Sequence, residues 1–240
     1  MIDNFSSLAA LPSLVIVGEP TMMEPAIGHK GKIAGLIRCK GHECHSSQAP
    51  EGLNAIYLAS DMIEATRRLQ DDVAKASHSD DGFTVPYSTI HVGTIKGGTA
   101  LNIVPADCAL AFEIRNDPSD SPDMLLKHLF DEAALLTSRA KSRFPECGVT
   151  IDITNRYPGL MMKDDSASLT YIQSLVGIYS AGKISFGTEG GLFREALGVP
   201  TYVCGPGDIE QAHKPDEFIT RDQMARCLTF LEKLSDGLRH

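Results

Sequence analysis

The sequence predicts an α/β layered domain that is interrupted by an inserted α+β unit. Between Lys32 and Asn155 the elements follow the order strand, helix, strand, strand, helix, strand. That order is typical of a ferredoxin-like fold, a four-stranded antiparallel sheet with two helices on one face. After Tyr157, helices alternate with short apolar strands, which indicates α/β layers. The apolar run Leu14–Val17 belongs with those layers, so we expect this chain to hold part of an α/β domain around the insertion.

Side-chain periodicity predicts each element of the insertion. Strands come from strict alternation or from β-branched and aromatic residues, and helices from apolar residues at helical spacing. Ser121-Pro122 is a typical helix start, with serine as N-cap and proline in the first turn. The predicted elements are strand Lys32–Lys40, helix Leu53–Leu69, strand Phe83–Ile95, strand Asp107–Arg115, a helix from Pro122 and strand Val149–Ile153.

The flanking segments predict the α/β layers. The last helix opens with Thr220 and Gln223, a capping box in which each side chain satisfies a backbone donor of the other residue. The other predicted elements are helix Ser166–Tyr179, strand Lys183–Phe186, helix Gly191–Ala196 and strand Thr201–Cys204. We therefore expect one domain from residues 1–29 and 157–240, and a second from residues 30–156.

The overall charge argues against one large class of partners. The chain has 240 residues, a formal net charge of −9 and a sequence pI near 5.3. General nucleic-acid binding needs a basic face, which this negative net charge disfavours.

No apolar run approaches the roughly 20 residues that span a bilayer. The six cysteines are scattered without a C-x-x-C pair, which favours free thiols in a reducing cytoplasm.

Two residues are candidate metal ligands. Glu19 directly follows the first apolar strand, and His213 lies in the loop after Thr201–Cys204. Sites in open α/β sheets form beyond the carboxyl ends of strands, and carboxylate and imidazole groups are ordinary zinc ligands. Taken singly, a glutamate in a Gly-Glu-Pro turn and a loop histidine are as readily explained as polar surface residues.

Four further places carry polar groups suited to a ligand. His42 and His45 form an H-x-x-H pair, in which we favour one histidine presented at a loop tip, although Ser46 or Ser47 also fits a helix cap. The glycine-rich loop that ends at Asn102 allows close backbone approach to a ligand, or is only a hairpin connection. Arg115 ends a strand and fits a carboxylate, or an ordinary surface ion pair.

The turn Gly187-Thr188-Glu189 heads a predicted helix, where backbone N–H groups favour an anion. The alternative is a tight connection between a strand and a helix. No G-x-S-x-G elbow occurs in the sequence, so nucleophilic catalysis by serine is poorly supported.

Together these motifs resemble the zinc-dependent N-acyl amino acid deacylases and related metallopeptidases, closest to the acetylornithine deacetylase branch. The segments that carry the resemblance are Val15–Thr21, His29–Gly31, His45–Ser47, Gly97–Asn102, Phe112–Arg115, Gly187–Phe193, Gly205–Gly207 and Gln211–Phe218. Each motif alone is modest, but their order along nearly the whole chain is specific.

The resemblance implies a cytoplasmic hydrolase of arginine biosynthesis that removes the acyl group from N-acetylornithine. Succinyl-diaminopimelate or another N-acyl amino acid is the alternative substrate. Such enzymes bind two zinc ions, with cobalt as a substitute, and dimerise through the inserted lid. By motif match, Glu19 and His213 are metal ligands, and His45 polarises the scissile carbonyl in the partner's site. Asn102 and Arg115 hold the amino acid end of the substrate.

The sequence departs from the family in one respect. The family carries a histidine-x-aspartate pair, a bridging aspartate and a glutamate-glutamate pair upstream of the Gly-Glu-Pro-Thr motif, and residues 1–18 contain none of these. We therefore expect these 240 residues to be inactive by themselves. Three hypotheses remain: a fragment of a deacetylase, a non-catalytic dimerisation or binding module, and one half of a split enzyme.

Overall fold

The computed structural model describes residues 11–76, 82–162, 166–212 and 214–239. These residues form two units. The first holds the described residues of 1–31, 81–85 and 157–240, and the second holds those of 32–80 and 86–156. Across the described ranges, no helix combines the length and the apolar character that a membrane crossing requires.

The strands are short in the first unit and longer in the second. The strands are β1 (Val15–Val17), β2 (Ala26–His29), β3 (Lys32–Lys40), β4 (Thr89–Gly97), β5 (Asp107–Arg115), β6 (Gly148–Tyr157), β7 (Leu160–Met161), β8 (Gly182–Ile184) and β9 (Thr201–Val203). The helices are α1 (Ala55–Ala76), α2 (Pro122–Lys141), α3 (Ala167–Val176), α4 (Gly190–Leu197) and α5 (Arg221–Gly237).

The second unit is built on a sheet with the strand order β4-β5-β3-β6. β5 pairs antiparallel with both β3 and β4. Alternate residues of β3 and β5 are buried, as expected for strands with one face against a core. Helices α1 and α2 contribute their apolar stripes to the same core, whose fully buried members include Ile33, Ile37, Met62, Leu110 and Leu129. The two helices and the sheet therefore share one hydrophobic core.

The first unit contains a sheet with the order β1-β9-β2-β7, and β8 also pairs with β2. β1 and β9 run parallel, so their carboxyl ends meet at one edge of the sheet. A core cluster that includes Ile27, Leu169, Ile172, Tyr202 and Phe230 joins this sheet to α3 and α5. This chain therefore forms a mixed α/β structure with two sheets.

The strand expected over Phe83–Ile95 forms only in its second half, because β4 begins at Thr89. Phe83 is buried in the first unit instead, and the Lys30 ammonium lies 5.6 Å from its ring centroid. The Lys30 ammonium also donates a hydrogen bond to the Val85 carbonyl at 2.8 Å. These contacts with a residue distant in sequence hold 82–85 out of the strand.

Two boundaries differ from the sequence prediction for local reasons. The helix expected to reach Tyr179 ends at Val176, because Gly177 adopts a left-handed conformation with φ of 74°. At α5, Thr220 Oγ1 accepts the Gln223 N–H as predicted, at 3.2 Å. The Gln223 amide oxygen does not complete the capping box, because it accepts the Gly207 N–H, also at 3.2 Å.

Candidate functional site

The loops that follow β1 and β9 are bonded to each other along their backbones. Thr21 N–H and Met23 N–H both donate to the Gly205 carbonyl, at 3.1 and 2.9 Å, and Met22 N–H donates to the Gly207 carbonyl at 2.8 Å. A Cβ atom on Gly205 would lie 2.2 Å from the Gly18 carbonyl oxygen. Only glycine fits at that position, so the two loops are held in close contact.

This contact forces an unusual backbone on the first loop. Met22 and Met23 are both left-handed, with φ of 57° and 62°. Non-glycine residues in that conformation cost about 1 kcal/mol each. Met23 is buried, and its side chain packs in the core of the first unit. Burial of that side chain and the bonds to Gly205 and Gly207 offset the cost, so the turn after Glu19 is firmly determined.

Glu19 therefore lies half-buried at the carboxyl end of β1, beside the loop that runs from Gly205 toward position 213. His213, the other predicted ligand, lies outside the described residues. In the described ranges, no group of three or more histidine, cysteine, aspartate and glutamate side chains is placed to hold a metal ion. The described residues by themselves do not fit the two-zinc site that the resemblance implies.

A buried histidine fixes the turn that contains Thr188 and Glu189. His29, on β2, is fully buried, and its Nε2 accepts the Gly191 N–H at 3.3 Å. Its Nδ1 lies 2.9 Å from the Lys30 carbonyl, which assigns the proton of the neutral ring to Nδ1. Burial lowers the pKa of His29 below its ordinary value of 6.5, and the hydrogen bond to the Lys30 carbonyl and the Glu189 charge oppose that shift only in part. His29 is therefore a neutral acceptor at the start of α4.

The same turn is closed by other contacts of the first unit. Thr188 is buried, and its hydroxyl accepts the Gly190 N–H at 3.0 Å. A Cβ on Gly187 would lie 2.4 Å from the Tyr157 hydroxyl, and one on Gly191 would lie 2.3 Å from the Pro158 carbonyl. The glycines are therefore required by close packing. The Glu189 side chain is exposed and makes no capping bond at α4.

In the second unit, the structure brings the loops of His45 and Asn102 together. Ser46 N–H donates to the Asn102 carbonyl at 2.9 Å, and Val104 N–H donates to the Cys44 carbonyl at 2.8 Å. Both loops lie at the surface, and the His45 and Asn102 side chains are exposed. Two polar groups far apart in sequence are thus presented on one rim.

The hydrogen bonds of His45 define the tautomer of its ring. Nδ1 accepts the Ser47 N–H at 3.2 Å and lies 2.8 Å from the Ser47 hydroxyl. The helix cap is therefore His45 and not Ser46 or Ser47, since His45 is the N-cap of the 3-10 helix Ser46–Glu51. With Nδ1 as acceptor, the neutral ring carries its proton on Nε2.

Arg115 is already engaged within the second unit. Its Nε donates to Glu113 at 2.6 Å, and Lys32 contacts the other Glu113 oxygen at 3.0 Å. Partial burial raises the pKa of Glu113, but the hydrogen bonds and charges of Arg115 and Lys32 outweigh it, and the net pKa is lowered. Arg115 thus has the surface ion pair that was the alternative to a carboxylate-binding role.

The predicted residues fall into two sets. Glu19, Gly187, Thr188 and Glu189 belong to the first unit, and His45, Asn102 and Arg115 belong to the second. His29 had no predicted role, although it lies in one of the segments that carry the family resemblance. Its position before Lys-Gly gave no sign of burial, because the strand β2 that carries it was not predicted.

Residues 27–138 match the family described as "Peptidase dimerisation domain". Two curated proteins named acetylornithine deacetylase are similar over most of the chain. The protein of Aliivibrio fischeri is 33% identical over 226 residues, which are 93% of this chain and 57% of the relative. That of Proteus mirabilis is 36% identical over 214 residues, 89% of this chain and 53% of the relative. Over most of its own length, the chain is therefore similar in sequence to proteins named acetylornithine deacetylase.

Solved structures show the same fold at lower identity. A tripeptidase of Staphylococcus aureus superposes with a TM-score of 0.72 at 17% identity, covering 96% of this chain and 59% of that one. The aminopeptidase PepT of Bacillus cereus gives 0.73 at 15% identity with the same coverage. The chain spans just over half the length of the curated relatives it matches.

Proposed function

We propose that this chain is the dimerising and substrate-binding part of a metal-dependent hydrolase of N-acyl amino acids, with N-acetylornithine as substrate. The observation that carries the proposal is the backbone bonding between the loops after β1 and β9. It holds Glu19 beside the segment that leads to His213, at a sheet edge where sites of α/β domains form. The curated relatives named acetylornithine deacetylase support the choice of substrate. A cytoplasmic place in arginine biosynthesis is part of the same proposal.

The two units have different proposed functions. The second unit is a ferredoxin-like lid, a reading supported by its strand order β4-β5-β3-β6 and by its two helices. The first unit is the partial catalytic domain. The expected boundaries, residues 1–29 and 157–240, are supported by a unit that holds the described residues of 1–31, 81–85 and 157–240.

Glu19 and His213 are proposed as zinc ligands that need further ligands from outside these 240 residues. One described carboxylate does not hold a pair of zinc ions, since structural and catalytic sites use three or four protein ligands for each ion. The free edge of β1 is consistent with a sheet that continues into further strands. Within the described residues β1 pairs only with β9, and Val15–Val17 stay partly exposed. We therefore propose that the 240 residues alone do not hydrolyse the substrate.

The hydrogen bonds already described support a set of proposed substrate contacts. His45 presents its Nε2–H, which donates to the scissile carbonyl oxygen and stabilises the negative charge that develops there. Asn102, on the same rim, hydrogen-bonds the amino acid portion. Arg115 binds the substrate carboxylate when it exchanges Glu113 for that group. Gly187, Thr188 and Glu189, in the first unit, are proposed as further substrate-binding residues.

A chimaera tests this function. The upstream segment of the Aliivibrio fischeri relative is joined to this chain, and N-acetylornithine hydrolysis is measured with zinc, in a host without its own deacetylase. We expect activity from the chimaera and none from the 240 residues. Glu19→Gln and His213→Gln should each lower the activity of the chimaera at least about a hundredfold. The matched change Glu51→Gln, on the 3-10 helix, should leave it unchanged.

Two results would contradict the proposal. Hydrolysis by the purified 240 residues would show that the chain needs no further ligands. A folded, zinc-binding chimaera that cleaves no N-acyl amino acid would refute the substrate class. Cleavage of N-succinyl-diaminopimelate in preference to N-acetylornithine would keep the class and change the substrate.

We propose in addition that the second unit forms a homodimer along the edge strand β4. The family description for residues 27–138 supports dimerisation. β4 and β6 are the edge strands of that sheet, but Arg38 pairs with Asp152 on β6 at 3.0 Å, and such charges discourage strand pairing. β4 carries no acidic residue and exposes Ile95. Ile95→Lys should therefore produce monomers in light scattering, whereas Ile153→Lys on β6 should not, and the reverse result would exclude β4.

A further inference from the structure

The 3-10 helix that His45 caps has no hydrophobic anchor of its own. None of its residues, Ser46–Glu51, is buried, and its helical geometry is interrupted at Gln48. The chain on either side is joined at its base, since His42 and Leu53 exchange backbone hydrogen bonds at 2.8 and 2.9 Å. The orientation of His45 above that base therefore depends on contacts with other parts of the second unit.

The connection between α2 and β6 supplies such contacts before His45. The His42 ring stacks on the Phe144 ring, with 4.3 Å between the centroids and 15° between the planes. Nδ1 of the same ring lies 3.0 Å from Glu146 Oε1. A hydrogen bond from its own backbone N–H, and then the bond from His42, hold the pKa of Glu146 below its ordinary value of 4.5. The carboxylate is therefore the acceptor, and His42 carries a proton on Nδ1.

The same connection makes a further contact after His45, at the other end of the 3-10 helix. Arg143 Nη2 donates to the Pro50 carbonyl at 2.8 Å. The guanidinium carbon of Arg143 also lies 5.1 Å from the centroid of the Phe144 ring, within the range of a cation–π contact. The residues on both sides of His45 are thus bound to one short segment.

That segment is anchored in the fold. Phe144 N–H donates to the Ala140 carbonyl in the last turn of α2, and Cys147 N–H donates to the Phe144 carbonyl, both at 3.0 Å. Cys147, next to the first residue of β6, is buried. An exposed ion pair by itself contributes little to stability, but a ring that is both stacked and hydrogen-bonded has few orientations open to it.

We infer that the connection between α2 and β6 is a clamp that fixes the orientation in which His45 presents its Nε2–H. The clamp holds His42 on one side of His45 and Pro50 on the other. The inference deepens the proposed function and rests on it, because it concerns the donor assigned there to the scissile carbonyl. His42 is then a positioning residue, which acts through His45. A donor stabilises developing charge only at the right distance, so the clamp should affect the catalytic rate more than substrate binding.

Nitrogen-15 NMR on the 240-residue chain tests the clamp without reference to activity. His42→Ala removes the stacked ring, and the Ser47 amide, which donates to His45 Nδ1, should then exchange with solvent roughly tenfold faster. Phe144→Leu removes the stack from the other side and should do the same, which keeps the test decisive if one variant misfolds. His128→Ala, on the exposed face of α2, is the matched control and should change nothing. Unchanged Ser47 exchange in a folded clamp variant would overturn the inference.

Kinetics of the chimaera test whether the clamp acts through His45. His42→Ala should lower kcat on the order of tenfold and change KM by less than about twofold, because a misplaced donor is felt in the transition state. His42→Phe keeps a stacked ring and should recover part of the loss. In a chimaera that already carries His45→Ala, the addition of His42→Ala should lower kcat no further. A second, independent loss there would show a general structural effect and would overturn the inference.

The two measurements separate the clamp from the proposed function. A chimaera that is inactive with all of these residues unaltered would contradict the proposed function, and the solvent exchange of Ser47 would then decide the clamp by itself. An active chimaera whose kcat is unaffected by His42→Ala would leave the proposed function standing and overturn the positioning role.

Discussion

The ring of His29 joins β2 to the first turn of α4, because its Nε2 accepts the Gly191 N–H at 3.3 Å while Nδ1 lies against the Lys30 carbonyl. The first N–H groups of a helix have no partner within the helix. At α4 two of them are satisfied, one by His29 and one by the Thr188 hydroxyl. A change at residue 29 therefore acts directly on the turn of Thr188 and Glu189.

Removal of this acceptor should destabilise the first unit. His29→Leu leaves the Gly191 N–H buried without a partner, which costs about 1–3 kcal/mol in free energy of unfolding. His29→Gln retains a carbonyl acceptor and should cost less. Urea unfolding measures both, with the exposed His128→Leu on α2 as the control that should change little. Equal stability of His29→Leu and the unaltered chain would show that the bond contributes nothing.

The lowered pKa of His29 predicts how the stability of the chain changes with pH. The pKa of His29 is lowered in the folded chain, so below about pH 6.5 the unfolded chain binds the extra proton and the folded chain does not. The free energy of unfolding should therefore fall with decreasing pH, by up to about 1.4 kcal/mol per pH unit, until the lowered pKa is reached. Above that range the contribution is constant. His29→Gln should remove this slope, and an unchanged slope would refute the assignment.

Gly205 gives a prediction about the loop contact beside Glu19. In Gly205→Ala the new methyl group would lie 2.2 Å from the Gly18 carbonyl oxygen, and backbone atoms on both sides leave no flexible group to move aside. We expect a loss of about 1–3 kcal/mol in stability. Gly182→Ala on β8 is the control, because its Cβ would have no atom within 4 Å. Equal unfolding midpoints for the two variants would contradict the close contact.

The lowered pKa of Glu113 predicts a second effect of pH on stability, in this case from an acidic group. Lys32 and Arg115 hold the pKa of Glu113 below its ordinary value of 4.5. A carboxylate of this kind contributes stability that is present above the unfolded pKa and is lost as pH falls through the folded pKa. The difference in unfolding free energy between the chain and Glu113→Gln should therefore shrink below about pH 4.5. Carbon NMR of the Glu113 carboxyl group, with and without Lys32→Met, measures the shift itself.

Local sequence patterns predicted those elements that are determined by interactions between residues close together in the chain. The strand Lys32–Lys40 has the bounds that its alternation indicated, because one face meets a core and the other meets solvent. Ser121 caps α2 as predicted, since its hydroxyl accepts the Met124 N–H one turn away. The family motifs, read in order, indicated the homology that the curated relatives confirm.

The roles of Glu19, His45, Asn102, Arg115 and His213 stay predictions of the sequence. The structure adds the backbone bonds that hold the His45 and Asn102 loops together and those that hold the loop after Glu19. Neither pairing is visible in local spacing, because the partners are separated by long stretches of chain.

The sequence by itself determined the α/β character, the order of the elements in the second unit and the resemblance to deacetylases, because periodicity, caps and motifs are properties of neighbouring residues. Only the tertiary structure decided that Phe83 leaves its expected strand for Lys30, and that Gln223 bonds Gly207. It also decided that His29 is a buried neutral acceptor. Each of these depends on burial beside a distant segment, and burial is set when the sheets pack.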